Sequence, residues 1–428
     1  MTRVITTADL LAALPSLDDA QWLLPFEDRA RFALSHGDEG VVDARRARAA
    51  AQVARFVARS TSDTRALPGV RWQLEQARHL VADLRADDTE AAHLSGVLQA
   101  AALAAGRSGM LPLALLAYGH HLARATRWEE ALIFTALAVR AADPMLSSRD
   151  AAAAALLAGR ARAALREWEA AAVAYAIAER AAFAGGDAMS AARATLGLAE
   201  CARGRGDLPT AEARSTRLLT SARGAALADV RAEALLLLGD VMSAQGRHAE
   251  ALDATYRALA HTEGDAQMLA GLAALAHRLT ACGAGLAARS AWRLVRDGDA
   301  GAGRIDALLA LLDLESQTGD RLAFERCRRE MQQALPLLAP ARRTDALVRM
   351  GVGSARFGRR AAAVSALEAA LVTARAAELV QWQGTIARLL ETLPLAGADR
   401  SLDSDAALPP LVARVAHGLA AIVAARSA

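Results

Sequence analysis

The residues able to do chemistry are few and scattered. His120 and His121 are adjacent, and helical neighbours project to different faces, so they make a poor paired ligand set. Asp297-Gly298-Asp299-Ala300-Gly301 begins like a calcium loop, yet it lacks the oxygen ligand at the fifth position and the glycine at the sixth. Cys201, Cys282 and Cys327 are far apart, odd in number and without C-x-x-C spacing. They read as small apolar core residues rather than as a disulfide framework or zinc site. Gly204-Arg205-Gly206-Asp207 contains an Arg-Gly-Asp triplet but reads as turn chemistry. Arg45, Arg46, Arg48, Arg55 and Arg59 crowd one expected helix. Phosphate binding is the sharper reading; a solvated basic face is favoured, because no aromatic stacking platform accompanies them. Metalloprotease, nucleophile-elbow and phosphate-loop motifs are missing. With no convergent acid, base and nucleophile, the expectation is a non-enzyme with no metal and no cofactor.

The elements that must carry these residues are helices. Of 428 residues, 54% are hydrophobic but only 4% aromatic, the excess being mostly alanine and leucine, which cost a helix least. Few runs alternate with period two, so strands have little support. A chain this long exceeds what one compact core usually serves, so it is divided or repetitive. The net charge of +3 is not the footprint of a dedicated nucleic-acid binder. All 50 basic side chains are arginine, so contacts to anions would be planar and bidentate. No long apolar segment opens the chain and no uncharged apolar run reaches membrane length, so a cytoplasmic location is the default expectation.

One spacing recurs. The clearest copy reads Leu238-Gly239, Gly246, Ala251, Ala258-Leu259. A small residue after leucine lets a second helix cross closely, the turn glycine supplies a positive φ, and the later alanines sit where two helices touch. The same frame appears at Tyr118-Gly119, Trp128, Ala131 and Ala138, and at Ala158-Gly159, Trp168, Ala171 and Ala178. It continues at Leu198-Ala199, Gly206, Ala211 and at Leu275-Ala276, Gly283, Ala288. A degenerate copy holds Leu311-Leu312 and Gly319, and the last holds Met350-Gly351, Gly358 and Ala363. These units resemble the tetratricopeptide repeat, with a period of roughly 36 to 40 residues against the usual 34 or so. Slightly longer helices or looser inter-repeat loops are expected.

The resemblance implies an all-α fold: a right-handed superhelical solenoid of about seven helical hairpins with helical caps at both ends. The expected divisions are a cap or degenerate repeats over 1–110, the solenoid over 111–378, a capping helix over 379–394, a polar linker over 395–409 and a C-terminal amphipathic helix over 410–428. A separate N-terminal domain is the alternative for the first 110 residues. Within them, helices are expected near 8–14, 17–24, 26–35, 41–60, 70–86 and 89–106.

In the family, the first helix of each hairpin lines a concave groove. Carried over, this places His120 and Arg124 in the groove from the first unit, Arg160 from the second, and Arg193, Glu200 and Arg203 from the third. Later units contribute Glu233 and Asp240, His277, Asp306 and Asp313, then Asp345 and Arg356. Early units thus present mainly positive charge, the fourth and sixth mainly negative. The lysine and asparagine pattern that grips a terminal carboxylate in the best-known clamps of the family is absent. The expected partner is a protein or peptide segment, bound by a scaffold or adaptor; nucleic acid and membrane are not expected partners. Two alternatives stand beside this reading: a bacterial regulatory sensor of a peptide or small ligand, and a homo-oligomer assembled through the solenoid ends or the 411–426 helix.

Overall fold

The computed structural model describes residues 7–18, 20–62, 67–85, 87–103, 109–142, 147–262, 264–299, 301–392 and 408–427. Among them every regular element is helical. The chain forms two compact units, Met1–Val230 and Arg231–Ala428.

The first unit opens with α1 (Thr7–Leu11), α2 (Leu24–Leu34), α3 (Val41–Ser62), α4 (Leu67–Ala82) and α5 (Thr89–Leu103). The helix expected at 17–24 is only a 3-10 turn, Ala20–Leu23, leading into α2. Pro25 sits in the first turn of α2, where its missing N–H leaves no partner unsatisfied. Asp88 caps α5 by accepting from the Glu90 amide at 2.8 Å. Three hairpins follow: α6 (Met110–Arg124) with α7 (Trp128–Ala142), α8 (Ser148–Ala164) with α9 (Trp168–Ala184), and α10 (Ala188–Gly204) with α11 (Leu208–Ser221). The N-terminal segment lies across the first two. α1 packs on α7, α8 and α9, the Arg162 Nε donates to the Ala13 carbonyl at 2.8 Å, and Arg140 pairs with Asp18 at 2.8 Å.

The second unit holds α12 (Ala228–Ala244, its first turn at the boundary between the units) with α13 (His248–Leu259), α14 (Asp265–Ala281) with α15 (Gly285–Gly298), α16 (Ala302–Gln317) with α17 (Arg321–Ala334), and α18 (Pro340–Arg356) with α19 (Arg360–Ala376). α20 (Val380–Glu391) follows, and then α21 (Pro410–Ser427). The expected linker lies, but for its last two residues, outside the described residues. α21 packs on α13 and α15, burying Val412, Val415 and Leu419, and Arg414 pairs with Asp253 at 2.8 Å. No helix among the described residues is long and apolar enough to cross a membrane.

Each hairpin closes through three residues, and the middle one is left-handed: Thr126, Arg166, Gly206, Gly246, Gly283, Gly319 and Gly358, with φ from 60° to 80°. The next amide then turns back to a carbonyl five residues earlier, as Arg247 does to Met242 at 2.9 Å, satisfying a helix-end acceptor. Glycine avoids the Cβ penalty there; Thr126 and Arg166 do not. The small residue of the first helix does what its spacing implied. A Cβ on Gly239 would lie 3.1 Å from the Ala251 carbonyl, and one on Gly351 would lie 3.2 Å from that of Ala363. Longer helices rather than looser turns account for most of the extra period, since first helices run to 17 residues.

Candidate functional site

In the first unit the first helices α6, α8 and α10 touch one another in order. His120, Arg160 and Glu200 occupy one equivalent position on them, each following the close-packed residue Gly119, Gly159 or Ala199. His120 is half-buried, and its pKa falls below the ordinary histidine value through burial, with Arg160 and Arg124 adding to the effect. Arg124, Arg160, Arg193 and Arg203 are exposed, and among the described residues none of the four forms an ion pair. Glu200 is half-buried beside Tyr175, whose hydroxyl is raised by burial and by that carboxylate.

The second unit is wired differently. Asp240 on α12 pairs at 2.6 Å with Arg278 on α14, whose own side chain is only 8% exposed. Asp306 on α16 pairs at 2.8 Å with Arg342 on α18. Asp313 on α16 accepts from Arg349 on α18, which also holds Asp345 at 2.8 Å. Arg356 donates to the Ser316 hydroxyl at 2.9 Å. His277 is exposed and stands edge-on to Trp292, with ring centroids 4.7 Å apart. Asp240, Asp306 and Asp313 are thus each matched by an arginine of the next first helix, so the negative charge of these helices is largely neutralised from within. Burial raises the Asp313 carboxyl even so, and burial lowers Arg278.

Sequence reasoning missed a buried ionic network in the first unit. Arg29 of α2 donates to Asp43 at 2.7 Å, to Glu90 at 3.0 Å and to Glu130 at 3.0 Å. Arg127 bridges Asp43 at 2.7 Å and Glu90 at 2.9 Å. The Tyr118 hydroxyl donates to Glu90 at 2.7 Å, and Arg46 holds Asp88 at 2.7 Å. Burial acts to raise Glu90, but the hydrogen bonds and charges of Arg29 and Arg127 win, and its pKa falls. Among the described residues Glu130 has Arg29 alone as an ion-pair partner, and burial pushes it up to about 7. Arg46, read from the sequence as part of a basic face, therefore turns inward, while Arg45 and Arg48 stay exposed along a cleft of about 390 Å³ with Leu80 and Asp83.

A second missed feature adjoins it. The His121 ring lies 4.7 Å, centroid to centroid, from His93 on α5 and stacks at 6.0 Å over Tyr118. The adjacent histidines of α6 do diverge: His121 turns to α5, and His120 turns toward Arg160 on α8. Arg124 acts electrostatically on all three rings.

The deciding geometry is therefore repeated: seven hairpins among the described residues, each with a left-handed middle turn residue, and at Gly119, Gly239 and Gly351 a small first-helix residue facing an alanine twelve positions on. The array is tetratricopeptide-like. No family model and no curated protein matches the chain. Solved structures similar to it include PilF of Pseudomonas aeruginosa, 17% identical over 53% of this chain and 92% of that one, with a TM-score of 0.40. A Rap protein complexed with competence and sporulation factor is 12% identical over 80% of this chain and 98% of that one, TM-score 0.45. The apo form of the quorum sensor NprR from B. thuringiensis is 14% identical over 75% and 97%, TM-score 0.49. At such identities and TM-scores none of them bears on what this tetratricopeptide-like chain binds.

Proposed function

We propose that this chain is a non-enzymatic, cytoplasmic protein-binding scaffold that takes a protein or peptide segment on the first-helix face of its tetratricopeptide-like hairpins. The observation that carries the reading is the contrast in charge pairing. Among the described residues Arg124, Arg160, Arg193 and Arg203 stand exposed without a counter-ion, whereas Asp240, Asp306 and Asp313 in the second unit each have an arginine partner. Planar guanidiniums held on rigid helices and left unpaired are ready donors to a partner's carboxylates. Such charges govern orientation and association rate more than total affinity. On this reading His120, Arg124, Arg160, Arg193, Glu200 and Arg203 are the partner contacts of the first unit, whose hairpins α1–α5 cap, and Asp240, His277, Asp313 and Arg356 are those of the second unit taken by itself.

The test is an affinity-tagged pull-down from native cells at low and high salt, with the Arg124→Glu/Arg160→Glu/Arg203→Glu variant alongside. A stoichiometric protein retained by the wild type, weakened by salt and lost in the folded variant is expected. Equal recovery of that protein by a folded triple variant would sink the reading.

A further inference from the structure

The first unit gathers more protonatable charge than its arginines alone. His93 on α5 and His121 on α6 are both half-exposed, 4.7 Å apart. Arg124, one helical turn beyond His120 on α6, is exposed beside them, and Arg160 on α8 lies within reach of His120. The surrounding carboxylates are already committed. Glu90, the carboxylate that acts on both rings, accepts from Arg29, Arg127 and Tyr118. Asp43 is held by Arg29 and Arg127, Asp88 by Arg46, and Glu130 by Arg29. Nothing acidic among these is left to balance a second charge on the histidine pair.

We propose that His93, His121 and Arg124 form a receiving site for the clustered carboxylates of an acidic protein segment, and that binding such a segment draws protons onto the histidine pair. The inference rests on the scaffold reading and deepens it by naming the partner's chemistry and its regulation by pH. The physical logic is linkage. In the free protein, burial lowers His93 and His121, and Arg124 lowers both further. Glu90 acts the other way on each, and Arg127 adds to the lowering of His121. Both rings are therefore predominantly neutral at pH 7, and two uncharged imidazoles can stand in contact. Incoming carboxylates supply the missing counter-charge, so the rings regain protons in the complex, and affinity rises as pH falls. The neutral rings could in principle ligate a metal ion instead, but Arg124 and Arg127 beside them repel cations and attract anions.

The experiment titrates a fluorescent oligo-glutamate peptide into the full chain at about pH 7.5 and about pH 6, with calorimetry in buffers of different ionisation enthalpy to count protons. The proposal expects binding that tightens roughly threefold or more toward pH 6 with net proton uptake. It expects both that pH dependence and the proton uptake to vanish in His93→Gln/His121→Gln, in which no ring is left to take up a proton. Proton uptake by the wild type alone keeps the test decisive if the double variant does not fold. Binding that is equal at both pH values and takes up no proton overturns this inference and leaves the scaffold reading standing. No binding of the oligo-glutamate at either pH overturns the acidic-partner assignment, and the pull-down above then judges the scaffold on its own.

Discussion

Gly418 of α21 lies directly under the phenol of Tyr256 on α13, with no room for a methyl group between them. The contact seats the helix between flanking anchors, Arg414 on Asp253 and the buried Val412, Val415 and Leu419. Gly418→Leu should unseat α21, at an overpacking cost of about 1–3 kcal/mol. Hydrogen exchange would show it as lost protection over 410–427 with the hairpins of the second unit still protected. Unchanged protection would mean that Tyr256 simply swings aside.

The two glutamates on Arg29 should respond in opposite ways to neutralisation. Glu90→Gln strips a buried acceptor of two arginines of its charge and should cost about 3–5 kcal/mol. Glu130→Gln should be far milder, because that carboxyl is raised to about 7 from an ordinary 4.5. The signs follow from linkage. Protonated Glu130 favours the native state below its unfolded value, and that contribution, up to about 3 kcal/mol, is lost as pH rises from 4.5 through 7. Glu90 is lowered, so its contribution is present above its ordinary value and lost on acidification. Denaturant titrations at pH 5 and pH 8 should therefore show Glu130→Gln gaining on the wild type as pH rises. A variant that loses ground at pH 8 would refute the assignment.

Thr126 and Arg166 occupy left-handed turn positions that five equivalent hairpins fill with glycine. Thr126→Gly and Arg166→Gly should each stabilise by roughly 0.5 kcal/mol, the left-handed strain relieved being partly offset by greater freedom in the unfolded chain. The reverse change, Gly246→Ala, should cost about 1 kcal/mol. Thermal melts of the three variants check both signs together.

The inter-repeat ion pairs differ in what they protect. Asp240→Ala leaves Arg278, 8% exposed, without its counter-ion and should cost about 2–3 kcal/mol. Asp306→Ala frees Arg342, a half-exposed side chain, and should stay within about 1 kcal/mol of wild type. Equal losses would mean that Arg278 finds water or another acceptor when released.

The repeat frame was readable because steric rules fix it. A small residue must stand where backbones approach, as Gly239 does against Ala251, and glycine is cheapest where φ is positive, as at Gly246. Thr126 and Arg166 carry no such mark, since nothing in their chemistry announces a left-handed turn. The ionic network was invisible for another reason: Arg29 meets Glu90 and Glu130 across 61 and 101 residues, separations no local pattern encodes. The pairing of Asp240 with Arg278 and of Asp313 with Arg349 was within reach. Their spacings of 38 and 36 residues are one repeat period, so opposite charges at equivalent positions of successive first helices were a signal in the sequence. The expectation of a negative groove in the later units counted the acids without asking what the next helix offers them. The histidine pair escaped notice because His93 lies before the repeat frame begins.

The position of α21 also orders assembly in time. Hairpin partners meet across a few turns of chain, so they close cheap loops and can form wherever folding starts. Arg414 reaches Asp253 across 161 residues, and its contact surface exists only after α13 and α15 have paired with their neighbours. That helix is therefore a late arrival with a large loop-closure entropy against it, adding long-range contact order to the otherwise local topology of the second unit. Drawn from its C-terminal end in a force experiment, the chain should yield α21 as a separate first event, before any hairpin opens.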